Sequence, residues 1–281
     1  MGIDLFNDII NPLKKQIEDV TEIVIKEADA KVQYYSQSGN NVLSAFFDTG
    51  ASAEYNIYKI VSRLSEGNYC LANCYIPKDD GTTSEIDVIL VDSTGIYVFE
   101  SKNYKGYIFG SETSRQWTVT LNGGRRGVQK YHFYNPIMQN KTHINWLRKY
   151  LNTDVPINSY IVFGNRCEFK DVPSGSSGVR ICHANQLRNM ITSDMQLRTS
   201  LLTEVQMSTI HYKLDKLCHK NKIEKAIHVD EIKEKSNKVA SGICPRCGGQ
   251  LVLRTAKTGT YAGNQFYGCS NYPRCKFIAN K

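Results

Sequence analysis

Apolar positions along the chain switch between helical and strand spacing, and the switches mark out its elements. Phe6, Ile10, Leu13, Ile17, Val20 and Val24 recur every three or four residues with charges between them. That stripe predicts a helix over 3–32, either packed on its own domain or pairing with a second copy. "SQSGNN" at 36–41 breaks it. A helix is expected over about 51–65, then a strand in "YCLANCYI" and a turn in "PKDDGTT". Two apolar runs flank a short turn in "SEIDVILVDSTGIYVFESKNYKG", residues 84–106, and predict a β-hairpin. Further strands are expected at 107–109 and 117–120, with a Gly-Gly turn at 123–124. Asn135-Pro136 opens a helix to about Leu151, with Pro at a favoured first-turn position. "INSYIVF" and "VRICHA" read as strands around the loop "VPSGSSG", and helices follow over about 185–219. The order is helix, mixed sheet, helix and more sheet, an α/β core.

The hairpin carries acids where apolar residues are expected. If Val91 pairs with Ile96 across the turn, Val88 faces Phe99 and Asp87 faces Glu100, on one side of the sheet. Lys102 shares that side, opposite Glu85. Like charges directly opposed destabilise a sheet, so the pair needs a counter-charge, a proton or water. A divalent cation is one answer: Mg²⁺ takes few protein carboxylates and keeps waters that leave room for a phosphate. The plainer alternative is a solvated hairpin in which Lys102 bridges Glu85 or Glu100.

The motifs around these acids resemble the core of the NERD (nuclease-related) domain, a branch of the PD-(D/E)xK nuclease superfamily. "TGIYVFESKNYKG" is similar to the family's strand, acid-x-Lys and following Asn-Tyr-x-Gly. "GASAEYNIYKIVSRL" is similar to its Glu-bearing helix, and "NPIMQNKTHINWL" to its Asn-Pro-x-x-Gln helix. The resemblance covers about 45–165. Ile86 stands in place of the superfamily Pro and Ala53 in place of a Gly. It implies a restriction-endonuclease-like core, a mixed sheet flanked by helices. It also implies roles: Asp87, Glu100 and the Ser101 carbonyl hold Mg²⁺ or Mn²⁺, Lys102 assists the water, Glu54 holds a metal-bound water or second metal, and Gln139 positions the phosphate backbone or a base. His132 in "KYHFYNP" reads as packing. Arg125 and Arg126 in the basic turn "LNGGRRG" are either backbone contacts or solvated.

Cys244-x2-Cys247, twenty-one residues, then Cys269-x5-Cys275 suits tetrahedral Zn²⁺. So short a module cannot be stabilised by burial alone, so metal binding completes its folding. "FYGCSNYPRCKF" resembles the second knuckle of the C-terminal four-cysteine finger of type IA topoisomerases, which implies DNA binding. Phe266, Tyr267, Tyr272 and Phe277 alternate with basic residues, and such rings stack on unpaired bases.

Charge sharpens this picture. The chain's formal net charge is +8. From Val239 onward there are six basic residues (Arg246, Arg254, Lys257, Arg274, Lys276 and Lys281) and no acid, which points to a polyanion, most simply nucleic acid; the topoisomerase resemblance implies DNA more than RNA. No apolar run approaches the roughly 18 residues that span a membrane. Nine Cys and no secretory-type start at Met1-Gly2-Ile3-Asp4 lead us to expect a reducing, cytoplasmic compartment. The expected organisation is a helical arm (1–44), which is also a candidate for homo-oligomerisation, a nuclease-like core (45–165), its strand and helical extension (166–219), a charged linker (220–242) and a small zinc-ribbon-like module (243–281). The expected activity is metal-dependent phosphodiester hydrolysis. The alternatives are a non-cleaving nucleic-acid-binding module or a scaffold assembled through the arm.

Overall fold

The computed structural model describes residues 15, 18–19, 21–22, 28–38, 49–64, 69–122, 127–173, 178–218, 234–235, 237–257 and 263–280. They form two compact units, 1–77 with 84–220, and 78–83 with 221–281. In chain order the first contains α1 (Thr49–Val61), β1 (Cys70–Pro77), β2 (Thr83–Asp92), β3 (Gly95–Lys102), β4 (Gly106–Phe109), β5 (Gln116–Asn122), β6 (Val128–Tyr134), α2 (Pro136–Leu151), β7 (Ile157–Phe163), β8 (Cys167–Asp171), β9 (Val179–His183), α3 (Ala184–Gln196) and α4 (Glu204–Asp215). One sheet runs β1-β2-β3-β7-β9 and a second β6-β5-β4-β8. β2 and β3 are an antiparallel hairpin, whereas β7 joins β3 and β9 in parallel.

Strand alternation divides the core into two layers. Val88, Leu90, Tyr97 and Phe99 pack with Ile57 and Tyr58 of α1 and Leu187 and Ile191 of α3. Ile89, Val91, Ile96 and Val98 pack with Leu147 and Leu151 of α2 and Leu214 of α4. The second sheet covers the end of the first through Ile108, Trp117 and Val119, against Ile137, Ile161 and Phe163. The hairpin adopts the expected register, with Val91 opposite Ile96 and Val88 opposite Phe99.

Three expectations change. The first helix was expected to end near 32, but 28–38 is helical. Gln37 explains the extension: its amide donates to Cys70 O at 3.3 Å and accepts from Ala72 N at 3.1 Å. It acts as a partner for the edge strand β1 and outweighs the local "SQSGNN" signal. Tyr34 of the same segment is fully buried against Tyr55 and Tyr58, so this part of the arm packs on its own domain. The stripe from Phe6 to Val24 lies outside the described residues. Two strands, β6 and β8, were not expected. "VQKYHFY" is exposed along most of its length and "CEFKD" is a short edge strand, so neither shows a buried period.

Asp194 of α3 is a fixed point of the core. Its carboxylate accepts from Arg180 Nε at 2.8 Å and Nη2 at 2.6 Å, and from the Tyr160 hydroxyl at 2.5 Å. Burial by itself would raise the Asp194 carboxyl, but these hydrogen bonds outweigh it and hold it below its usual value. The stability it supplies is complete above about pH 4 and is lost as pH falls through the lowered folded value. Asp194→Asn is expected to cost about 2 kcal/mol at neutral pH. Urea unfolding should show that difference shrinking toward about pH 3.

Among the described residues, no helix is long and apolar enough to cross a membrane.

Candidate active site and metal centre

The β2–β3 pairing ends at Val88 and Phe99, which leaves Asp87 and Glu100 as the next residue on each strand, at the open end of the hairpin. Both belong to the alternation that faces α2. Asp87 Oδ2 accepts from Ser101 N at 2.7 Å. Glu100 is 2% exposed. Its Oε1 takes the Lys102 ammonium at 2.5 Å, and His143 Nε2 lies 3.2 Å from its Oε2. That second approach is poorly aligned, so Glu100 Oε2 and His143 Nε2 each lack a full hydrogen bond. Lys102 Nζ also donates to Gln139 Oε1 at 3.2 Å, and the Ser84 hydroxyl meets His143 Nδ1 at 2.7 Å.

Local sequence explains how α2 delivers Gln139 and His143. Asn135 caps the helix by accepting from Ile137 N at 2.9 Å, and Pro136 follows at its first turn. The Asn135 amide also donates to the carbonyls of Ser111, Glu112 and Ser114, which ties the helix start to the second sheet. Buried Asn140 donates to Ser159 Oγ at 2.8 Å and Val98 O at 3.3 Å. Gln139 and His143 are one turn apart on a helix fixed at both of these points.

Glu54 approaches from α1. Its Oε2 accepts from the Tyr34 hydroxyl and Asn73 Nδ2, each at 3.4 Å. Asn73 sits in β1 with φ of 50°, a left-handed conformation that Asn tolerates. The kink turns its amide toward both Glu54 and Glu85, the latter at 3.1 Å. It also sends Cys70 and Cys74 into different core layers.

The charges are unequally satisfied. Burial, then the negative charges of Glu100 and Glu54, push the Asp87 carboxyl well above its ordinary value despite Lys102 and the Ser101 N–H. Burial alone would raise Glu100 too, but His143 and Lys102 hold it below its ordinary value. Burial would lower Lys102, but the Glu100 and Asp87 carboxylates raise it and keep it charged. A half-buried carboxyl crowded by other acids, Asp87, beside the Glu100 carboxylate oxygen without a hydrogen bond, is an oxygen donor set that fits a hard divalent cation.

In the second unit, β10 (Leu251–Thr255), β11 (Gln265–Cys269) and β12 (Ile278–Asn280) form an antiparallel sheet. Cys244, Cys247, Cys269 and Cys275 bring their sulfurs within 4.8 Å of one another. The Cys244–Cys275 and Cys247–Cys269 pairs are at 3.7 and 3.3 Å. Four Zn–S bonds of about 2.3 Å in a tetrahedron require about 3.8 Å, so the donor set fits zinc. Gly248, with φ of 74°, closes the first knuckle by donating to Cys244 O at 2.9 Å. Asn271 links the knuckles, its N–H on Cys269 Sγ at 3.4 Å and its amide on Cys247 Sγ at 3.5 Å.

Comparison with known proteins finds a match over the stretch that holds each site. Residues 49–164 match the nuclease-related domain family, and residues 241–281 match the topoisomerase DNA binding C4 zinc finger. The chain carries a nuclease-related domain and a topoisomerase-type zinc ribbon. An uncharacterized protein of Bacillus anthracis is 29% identical over 194 residues, 68% of this chain and 85% of that protein. DNA topoisomerase 1 of Archaeoglobus fulgidus is 58% identical over 36 residues, 13% of this chain and 5% of the enzyme. The Methanocaldococcus jannaschii enzyme of that name is 49% identical over 47 residues, 17% of this chain and 5% of the enzyme. The chain thus spans about one twentieth of the length of these topoisomerases. No solved structure matches it.

Within the nuclease-related domain the structure brings Asp87, Glu100, Lys102 and Gln139 together, with Glu54 close enough to act on Asp87. Ser101 contributes its N–H to Asp87. Arg125 and Arg126 lie outside the described residues. His132 stands exposed on the second sheet, with Nδ1 3.0 Å from Thr118 Oγ1. Sequence reasoning missed His143, Ser84 and Asn73. The spacing of His143 four residues after Gln139 was the one usable signal. In the zinc ribbon, Arg254 pairs across the sheet with Phe266, and its guanidinium lies 5.6 Å from the centre of the exposed Tyr272 ring. A Cβ on Gly268 would come 2.8 Å from Arg254 Cδ, so that Gly makes room for Arg254 to lie over the sheet. Tyr267 is half-buried on the opposite face, opposite Leu253. Phe277 packs on the cysteine cluster, and Lys257, Arg274 and Lys276 are exposed.

Proposed function

We propose that this protein is a metal-dependent nuclease of the PD-(D/E)xK type that hydrolyses phosphodiester bonds, in DNA more than RNA. The observation that carries the reading is Asp87, a half-buried carboxyl raised by desolvation and by the neighbouring acids Glu100 and Glu54, beside a lysine held by Glu100 and Gln139. Asp87, Glu100 and the Ser101 carbonyl would hold Mg²⁺ or Mn²⁺. Such an ion supplies an activated water and offsets charge at the scissile phosphate. Lys102 would orient the attacking water or a phosphate oxygen, Gln139 would position the strand, and Glu54 would hold a water. The zinc ribbon delivers nucleic acid, with Arg254, Phe266 and Tyr272 as a cationic and aromatic stacking patch and Lys257, Arg274 and Lys276 contacting phosphates.

His143 acts through Glu100: it keeps that carboxylate turned to the site. His143→Ala is expected to lower cleavage about 10- to 100-fold, with metal affinity falling in parallel. An unchanged rate would remove His143 from the account.

The alternative is a non-cleaving nucleic-acid-binding protein, in which the Lys102–Glu100 ion pair serves the fold. It predicts binding that Asp87→Asn leaves intact. Incubating the zinc-loaded protein with single- and double-stranded DNA and RNA, with and without Mg²⁺ or Mn²⁺, separates the two. Binding with no product on any substrate would sink the nuclease reading.

A further inference from the structure

A cleft of about 530 Å³ opens at the carboxyl ends of β3 and β7, on the α1 side of the sheet. Lys59 and Arg166 stand on its walls, with Ser101, Asn103 and Asn165 also lining it, and no Asp or Glu does. The turn bearing Arg166 is pinned at both ends. Gly164 N–H donates to Lys102 O at 2.9 Å, and Gly106 N–H donates to Arg166 O at 3.3 Å. Arg166 Nη2 donates to Asn103 Oδ1 at 3.3 Å. A Cβ on Gly164 would lie 2.7 Å from that oxygen, so the glycine leaves room for the Asn103–Arg166 contact. Asn165 accepts from Asn185 N at the start of α3, at 3.1 Å. The guanidinium is thus held beside the strand that carries Glu100 and Lys102, with most of its five N–H donors left for a ligand.

Ser101 joins the cleft to the acids: it lines the cleft while its N–H holds Asp87. Glu100 and Lys102 alternate to the other side of the same strand end. Ala53, next to Glu54, lines the cleft as well. An acid cluster suited to a cation and an acid-free cationic cleft therefore adjoin across the end of β3. That crevice, outside the carboxyl ends of parallel strands, is where open α/β sheets bind ligands.

We propose that the cleft is a phosphate subsite that takes the phosphodiester next to the one hydrolysed, on a polynucleotide strand crossing the end of β3. This deepens the nuclease reading and rests on it for the chemistry at the acids. Arg166 grips the neighbouring phosphate through its planar fork, and Lys59 adds a point charge opposite. A phosphodiester with no neighbouring phosphate gains nothing from either.

The test uses the full zinc-loaded chain in two arms. In the first, calorimetry without Mg²⁺ or Mn²⁺ measures binding of thymidine 3′,5′-bisphosphate, which carries two phosphates on one nucleoside. Arg166→Ala should weaken it at least about tenfold and Arg166→Lys should restore part of the loss. Binding by Arg166→Ala equal to wild type, or no binding by wild type, overturns the proposal. In the second arm, hydrolysis of bis(p-nitrophenyl) phosphate is compared with that of a single-stranded oligodeoxynucleotide under Mn²⁺. Arg166→Ala should raise KM for the oligonucleotide about tenfold and leave the small ester unaffected. Equal losses on both substrates overturn the subsite. If wild type hydrolyses neither while Arg166→Ala still loses the bisphosphate, the nuclease reading fails and the cleft stands.

Discussion

Asp87→Asn is expected to abolish cleavage, by about a thousandfold or more, and at the same time to make the metal-free fold more stable. The two effects share a cause. Burial and the charges of Glu100 and Glu54 raise the Asp87 carboxyl in the folded protein. The ionised form therefore costs stability at neutral pH, and that cost disappears as pH falls and the carboxyl takes a proton. Asn keeps an acceptor for the Ser101 N–H but carries no charge. We expect about 1 kcal/mol of added stability at neutral pH, vanishing by about pH 4. Addition of Mn²⁺ should reverse the order, because the ion stabilises only the chain that binds it. Denaturant midpoints of both proteins, with and without Mn²⁺, check each part. A metal-free variant less stable than wild type would mean that Asp87 is an ordinary structural acid.

Zinc removal should have the second large effect. The ribbon's buried core is its cysteine cluster with Leu251 and Phe277 packed against it, too little apolar area to hold three short strands together. Chelation, or Cys275→Ser, is expected to unfold 237–280 and to lower nucleic-acid affinity at least about tenfold. The Asp194-centred core should unfold as before. Without metal the thiols are not equivalent. Hydrogen bonds from the Gly249 N–H, from Cys269 and from Asn271 bring Cys247 down to about 6, whereas burial pushes Cys269 up to about 12. At neutral pH the free cluster holds the Cys269 proton, so zinc binding must release protons and weaken as pH falls. Zinc titrations in buffers of different ionisation enthalpy measure that release. A far-ultraviolet spectrum unchanged by chelation would show that the ribbon does not need its metal.

Much of this architecture is legible in the sequence where one physical rule dominates. The hairpin register follows from apolar alternation about the Ser93-Thr94 turn, and it holds from Asp92 and Gly95 to Val88 and Phe99, the rung before Asp87 and Glu100. Asn135-Pro136 marks a helix start because one residue caps and the other needs no N–H. The cysteine spacing carries the ribbon. What escaped depends on tertiary contact. β6 lies on a sheet with an exposed face and shows no buried period. The helix over 28–38 runs past its expected end because Gln37 bonds to β1. His143 becomes meaningful only once α2 is laid over Glu100, and Arg166 only once the turn after β7 is tied to Lys102.

The central claim is that the Asp87, Glu100 and Lys102 cluster cleaves a phosphodiester with a hard divalent ion. It is tested most directly by the single-turnover cleavage rate of labelled single-stranded DNA under Mn²⁺, with Lys102→Ala alongside. The account predicts Mn²⁺-dependent product from wild type and at least about a thousandfold less from Lys102→Ala. Equal rates from the two proteins, or product formed equally well without Mg²⁺ or Mn²⁺, would contradict it.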